Sequence, residues 1–215
     1  MLKIIIDQKK YKDKSILENI NISIDQPGIY GVIGKNGQGK TTLFKCILGL
    51  EKFNGSCSVN EEKVVLQNAG WVPTDPPIYG ELTAVEFYDF YAHLVDVERK
   101  STSQIFEVPS NQLIREFSTG MKKKTYLNAV FQKEFAIYIL DEPFNGLDLE
   151  SNYLLMNHIR ALSKKSIIFI SSHILEILYR DCDKIFLLQN KNITEFEKSQ
   201  YSEIEKELFA INSIE

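Results

Sequence analysis

Gly34-Lys35-Asn36-Gly37-Gln38-Gly39-Lys40-Thr41 gathers three glycines, two lysines and a hydroxyl into one short segment. The spacing fits G-x-x-x-x-G-K-[ST], the pattern of a loop that wraps phosphate. Glycines let successive backbone N–H groups curl toward phosphate oxygens, and a helix starting at the end of the loop adds its positive N-terminus. Lys40 is placed to reach the β- and γ-phosphates of a nucleotide, and the Thr41 hydroxyl to ligate Mg²⁺. The segment's expected nucleotide-binding residues are Gly34, Asn36, Gly37, Gly39, Lys40, Thr41 and Thr42. A glycine-rich turn with a surface lysine is the plainer alternative. An apolar strand before the segment and a helical pattern after it argue against that.

A second cluster follows a buried-looking run. Phe135 to Leu140 is apolar and leads directly into Asp141-Glu142. Two adjacent carboxylates at the end of such a strand are costly unless they meet cations or water. Beside a phosphate loop, Asp141 is placed to hold Mg²⁺, usually through water. Glu142 is then placed to orient or deprotonate the attacking water. Taken alone, the pair could be a solvent-exposed acidic turn leading to Pro143.

The elements that must position these groups are legible in outline. Ile4 and Ile6, and Ile20, Ile22 and Ile24, alternate as half-buried strands do. Pro27-Gly28 marks a turn, and Ile29 to Ile33 is a strand running into Gly34. Leu43, Phe44, Ile47 and Leu48 recur with helical spacing, and Gly49 is a stop signal. Asn54-Gly55 reads as a turn between strands. Thr83 and Glu86 form a capping box with Leu82 and Phe87 as a hydrophobic staple. Phe87, Phe90, Tyr91 and Leu94 are the apolar stripe of that helix. Residues 78–133 therefore read as mainly helical. Later, Phe135 to Leu140, Ser166 to Ile170 and Ile185 to Leu188 are strands, with Leu155, Ile159 and Leu162 on a helix between the first two. That alternation predicts a parallel sheet with crossover helices. The tail after Asn190 is polar, with a helix expected near 199–210.

Composition narrows the class. At 215 residues, 44% apolar and 25% charged, the chain can bury a sizeable core without staples. A formal net charge of −4 and a pI near 5.5 give no expectation of nucleic-acid binding. Cys46, Cys57 and Cys182 form no CxxC pair and read as reduced core thiols of an intracellular protein. No stretch approaches the roughly 20 apolar residues of a spanning helix, and the N-terminus lacks a signal-peptide pattern.

Further motifs, in a particular order, carry a family resemblance over nearly the whole length. Phe117-Ser118-Thr119-Gly120-Met121-Lys122 resembles the LSGGQ signature of ATP-binding cassette (ABC) transporter subunits. Asn145-Gly146-Leu147-Asp148 resembles their D-loop, and Ser171-Ser172-His173 their switch histidine. Tyr11 matches the aromatic residue that stacks on adenine. The resemblance implies an α/β fold: a P-loop NTPase core with a mostly parallel sheet, an N-terminal antiparallel β subdomain and a small α-helical subdomain. The whole chain, 1–215, is then one domain, with about 78–133 inserted as the helical part. It implies catalytic roles for Glu142, His173 and Lys40. Tyr11, Ser118, Gly120 and Asp148 become nucleotide contacts, and Mg²⁺ falls to Thr41 and Asp141. Each motif has a blander alternative. Ser118 to Gly120 could only cap a helix, Tyr11 could be packing, and Lys122 to Lys124 are expected to be mostly a solvated helix face.

Two departures stand out. The signature carries Thr119 and Met121 where the family usually has glycine and glutamine, a form similar to the subgroup that drives ABC-2-type exporters. Thr74, followed by Asp75, stands after Gly70-Trp71-Val72-Pro73 where the family places a glutamine that helps position Mg²⁺ and water. Thr74 is too short to reach as far.

The resemblance implies a head-to-tail dimer with a second nucleotide-binding subunit, each ATP held between one subunit's phosphate loop and the other's signature. It also implies integral membrane transporter subunits as partners, at the cytoplasmic face of the membrane. Two other classes compete. A soluble ABC-type ATPase acting on DNA repair or the ribosome usually adds coiled-coil insertions or a second cassette. A small-molecule kinase or GTPase on the same core would lack the signature-like and histidine motifs.

Overall fold

A computed structural model describes residues 1–97 and 104–209. The chain opens with two long strands, β1 (Leu2–Tyr11) and β2 (Lys14–Ile24), which pair antiparallel. Leu2, Ile4 and Ile6 are buried while Ile5 is 40% exposed, so the period of two holds although Ile5 itself is apolar. After β3 (Gly28–Ile33) and α1 (Lys40–Ile47), β4 (Asn54–Val59) and β5 (Glu62–Lys63) complete a four-stranded sheet of order β2-β1-β4-β5.

Asn54-Gly55 is not a turn: it lies inside β4, opposite Ile6 and Gln8 of β1 where the register shifts. Gly55 has φ +131, and a Cβ there would sit 2.0 Å from the Ile5 carbonyl oxygen. The glycine serves a bulge and a close backbone approach.

β6 (Gly70–Val72) begins the second half, followed by α2 (Ala84–Leu94), α3 (Thr119–Val130), β7 (Ile137–Asp141), α4 (Leu149–Leu162), β8 (Ile167–Ser171), α5 (Leu175–Asp181), β9 (Lys184–Gln189), β10 (Asn192–Glu197) and α6 (Tyr201–Phe209). The six-stranded sheet has the order β10-β9-β3-β8-β7-β6. It is parallel from β9 to β6, as the strand–helix alternation predicts, and β10 adds an antiparallel edge. The polar tail hides β10, because only Phe196 of that strand is buried. The helix expected near 199–210 is α6. Residue 210 lies outside the described residues, as do 98–103 of the segment expected to be helical.

The central strands are apolar throughout because both faces are covered. Tyr138, Leu140, Ile168 and Ile170 pack with α2, α3 and α4. Ile137, Ile139, Ile167 and Phe169, on the other face, pack with α1 and the antiparallel sheet. The α2 capping box forms: Glu86 N–H donates to Thr83 Oγ1, and Thr83 N–H donates to Glu86 Oε2 at 2.8 Å. The α2 stripe, however, is only half buried. Phe87 and Tyr91 pack on Tyr126 of α3, whereas Phe90 is 41% and Leu94 60% exposed.

Candidate active site

Parallel strands end on one side of a sheet, and the loops that leave there form its natural crevice. Here β3, β7 and β8 are neighbours, with Asp141 in register with Ser171 and Ser171 with Val32. The phosphate loop, the Asp141-Glu142 pair and Ser171 to His173 therefore emerge together. A cleft of about 340 Å³ lies among them, lined by Asn36, Gly37, Gly39, Lys40, Thr41 and Thr42 from the loop and by Asp141, Glu142 and His173 opposite. Gly34 lies beside it, lining a smaller adjoining hollow with Asn36 and His173. A larger cleft, about 880 Å³, opens against β1 and β4, away from these residues.

The loop is built for an anion. Gly39 caps α1 with φ +109, a conformation that disfavours any residue with a Cβ, and a Cβ there would also stand 2.9 Å from the Ile16 side chain. Lys40 is buried and donates to the Gly34 carbonyl oxygen at 2.7 Å. Its burial lowers its pKa, while the charges of Glu142 and Asp141 pull the other way.

The carboxylates sit in a hydrogen-bonded chain. The Ser171 hydroxyl donates to Asp141 Oδ1 at 2.6 Å and accepts from the Glu142 N–H at 2.8 Å. The Thr41 hydroxyl donates to Asp141 Oδ2 at 2.7 Å. Asp141 is thus held by two hydroxyls at the end of β7, with 1% of its surface exposed. A hydroxyl and a carboxylate oxygen this close are a hard-oxygen donor set of the kind Mg²⁺ takes, with water and phosphate supplying the rest. The residues fit the ion.

Glu142 has φ +51, an uncommon conformation for a residue with a side chain and one that clusters at functional sites. Its Oε1 is buried, meets no hydrogen-bond geometry with a neighbour, and lies 3.1 Å from His173 Nε2. Desolvation raises its pKa. His173 and Lys40 oppose that rise, and Asp141 adds to it. A buried carboxylate lining a phosphate cleft is equipped to accept a proton from water.

Four predicted residues stand apart from this cleft. Tyr11 is 42% exposed, with Lys9 Nζ 4.2 Å from its ring centroid. Its hydroxyl interacts with Glu51 and with Thr42, which puts it beside the cleft without lining it. Ser118 caps α3 by accepting from the Met121 N–H, and is exposed. Gly120 packs so near the D-loop-like segment that a Cβ would meet the Gly146 carbonyl oxygen at 2.7 Å. Asp148 caps α4 by accepting from the Ser151 N–H, and pairs with Lys124 at 2.9 Å. That pairing and the cap bonds hold its carboxyl far below the usual carboxylate range.

Thr74, singled out by its place in the sequence, does line the cleft, but with a short side chain, and Asp75 is exposed and does not line it. Sequence reasoning missed other participants. Ser171 links both carboxylates; its signal was a hydroxyl at the end of an apolar strand. Ile16 and Asn145 also line the cleft, and nothing local in the sequence marks them. Lys123 corrects the expected solvated face: it is only 3% exposed and donates to two main-chain carbonyls.

Comparison with known proteins agrees with this geometry. Residues 17–145 match the ABC transporter family. The ABC-type transporter ATP-binding protein EcsA of Bacillus subtilis is 30% identical over 85% of this chain and 81% of its own length. The SkfA peptide export ATP-binding protein SkfE of the same organism is 30% identical over 85% and 82%. The bacitracin transport ATP-binding protein BcrA of Bacillus licheniformis is 30% identical over 87% and 66%. A solved ATP-binding subunit of an ABC transporter superposes with a TM-score of 0.85 at 26% identity, over 99% of this chain and 94% of that one. A dimeric ATP-binding cassette bound to ADP and Pi superposes with a TM-score of 0.78 at 18% identity, which speaks to the fold. With a phosphate loop, a paired carboxylate and a histidine converging on one cleft, the chain belongs to the ABC transporter family, as an ATP-binding subunit that hydrolyses ATP.

Proposed function

We propose that this chain powers a membrane exporter through ATP-driven dimerisation of nucleotide-binding subunits, acting as one domain whose helical part is residues 78–133. The observation that carries the reading is the split of its motifs. Lys40, Asp141, Glu142 and His173 line one cleft, while exposed Ser118 and its neighbour Gly120 lie outside it. A second copy, head to tail, would bring its own Ser118 and Gly120 to the γ-phosphate. Asp148 would lie at the same seam, and Tyr11 would stack on adenine.

In that complex Lys40 holds the β- and γ-phosphates and Glu142 accepts the proton of an in-line water. His173, at Oε1 of Glu142, orients that carboxylate. Thr41 and Asp141 would hold Mg²⁺, which would neutralise charge on the phosphates. The N-terminus of the partner's α3 adds a positive end where charge develops.

Among the described residues no helix is long and apolar enough to cross a membrane; in the proposed complex the passage belongs to integral membrane subunits as partners. An open groove of about 420 Å³ suits that partner, because it exposes Leu50, Leu66, Tyr79, Phe90 and Leu94 beside the segment that follows Thr74. Such a patch on a rim of helices marks a binding surface. The export assignment is supported by relatives named for peptide export and bacitracin transport. Co-purification from native cells tests the reading: a tagged chain is expected to bring down a polytopic membrane protein. Recovery of a purely soluble assembly would reject it in favour of a soluble ABC-type ATPase. Gel filtration of Glu142→Gln with ATP is expected to show a dimer, and a monomer would reject the shared site.

A further inference from the structure

Among the described residues two buried lysines have no part in the mechanism above: Lys9, which pairs with Glu51, and Lys123, which reaches the nucleotide cleft. Lys123 projects from the second turn of α3, the helix that Ser118 caps. Its ammonium donates to the Glu142 carbonyl oxygen at 2.7 Å and to the Thr74 carbonyl oxygen at 3.3 Å. These acceptors are matched. The last paired residues of β6 and β7 are Val72 and Leu140, and Thr74 and Glu142 each follow two positions later. Lys123 therefore closes the gap where two parallel strands part, and both residues it grips line the nucleotide cleft.

The setting explains why a charge is held there. Burial opposes the ammonium, while the charges of Asp141, Glu142 and Asp75 favour it. Main-chain carbonyls turned inward need donors, and one side chain from α3 serves both. The grip on Glu142 falls on a residue at φ +51, where fixing the carbonyl fixes the peptide that aims the carboxylate. A general base gains its effect from such placement, and a misplacement of about 1 Å costs on the order of 10²-fold in rate.

We propose that Lys123 is a positioning residue for hydrolysis, tying the signature helix to the backbone of Glu142 and of Thr74. It thereby makes from α3 a link that the short Thr74 side chain cannot make. Movement of α3 on engaging a second subunit's nucleotide would then be passed to the water-activating carboxylate. The inference rests on Glu142 acting as proposed above.

Steady-state hydrolysis, ATP binding and gel filtration of Lys123→Met test it. The kcat is expected to fall about 30-fold with KM for ATP within about threefold. Lys123→Met combined with Glu142→Gln should still dimerise with ATP as Glu142→Gln alone does, because binding and engagement precede the step that Lys123 serves. An unchanged kcat, or loss of the ATP-driven dimer in the double variant, would overturn the proposal. Should Lys123→Met fail to fold, the comparison passes to Lys123→Arg, expected within about threefold of the parent, and Lys123→Gln, expected about tenfold lower. Equal rates for those two would overturn it. Parental turnover by Glu142→Gln alone would instead remove the assignment of Glu142, which separates the two failures.

Discussion

The two halves of the proposed nucleotide machinery are built differently. At the ends of β7 and β8, Lys40, Asp141 and Ser171 are buried, and the polar groups are largely bonded within the chain: Thr41 and Ser171 on Asp141, Ser171 on the Glu142 N–H, Lys40 on the Gly34 carbonyl. At the start of α3 the side chains are exposed and only cap their own helix. The first half already holds its groups at one cleft, so the reordering that a nucleotide requires falls mainly on the Lys40 and Thr41 side chains. The second has its helix terminus satisfied but faces solvent. A site whose charged half is finished and whose donor half points outward is suited to closing against another surface.

The sharpest break in that comparison lies in the buried half. Lys40→Ala and Glu142→Gln are each expected to lower hydrolysis by about 10²–10³-fold. ATP binding, measured by equilibrium dialysis, should drop for Lys40→Ala and persist for Glu142→Gln. Next comes Gly120→Val, expected to cost about tenfold or more, because a side chain there must displace the Gly146 carbonyl oxygen 2.7 Å away from a Cβ. Mixing Lys40→Ala with Gly120→Val chains tests whether the halves belong to different subunits. Random pairing of the two should restore about a quarter of parental activity, since each mixed dimer has one intact site. No restoration would place both halves of a site in one chain.

Smaller effects separate stability from chemistry. Thr83→Ala removes the cap of α2 and is expected to cost about 1 kcal/mol, a fall in Tm of roughly 2–4 °C. Hydrolysis by the folded protein should stay unchanged. Ser118→Ala should lose a similar amount of stability but also lower turnover at subsaturating protein, if α3 meets a partner's phosphate. The smallest effect concerns His158, stacked edge-on against Phe131 at 4.7 Å with its Nε2 unpartnered. Burial lowers its pKa, so the folded state favours the neutral ring. Its stabilising contribution is complete above the unfolded value near 6.5 and is lost as pH falls through and below it. Thermal melts from pH 7.5 to 5 should show that decline, and His158→Gln should flatten it.

Much of this site was legible because its parts are short strings. A phosphate loop needs its glycines, lysine and hydroxyl within eight positions, and Asp141-Glu142 announces itself by following an apolar strand. The thiols were readable too: Cys46, Cys57 and Cys182 are free and buried, with burial pushing Cys46 up to about 11 and Cys57 to about 12. Asn54-Gly55 misled, because the same dipeptide suits a tight turn or a bulge. Phe90 and Leu94 share the helical period of buried Phe87 and Tyr91, and periodicity cannot say how wide a stripe its neighbours will cover.

By itself the sequence determined most of the strands and helices, the parallel sense of the second half and the place of the phosphate-loop motif at the end of β3, since those follow from local spacing and burial of apolar side chains. Only the tertiary structure decided which lysine of Lys122 to Lys124 would be buried. It also brought Ile16 of β2 over the phosphate loop, and set Ser171 between two carboxylates distant from it in sequence. Those outcomes depend on where separate strands end relative to one another, and no local pattern encodes the register between them.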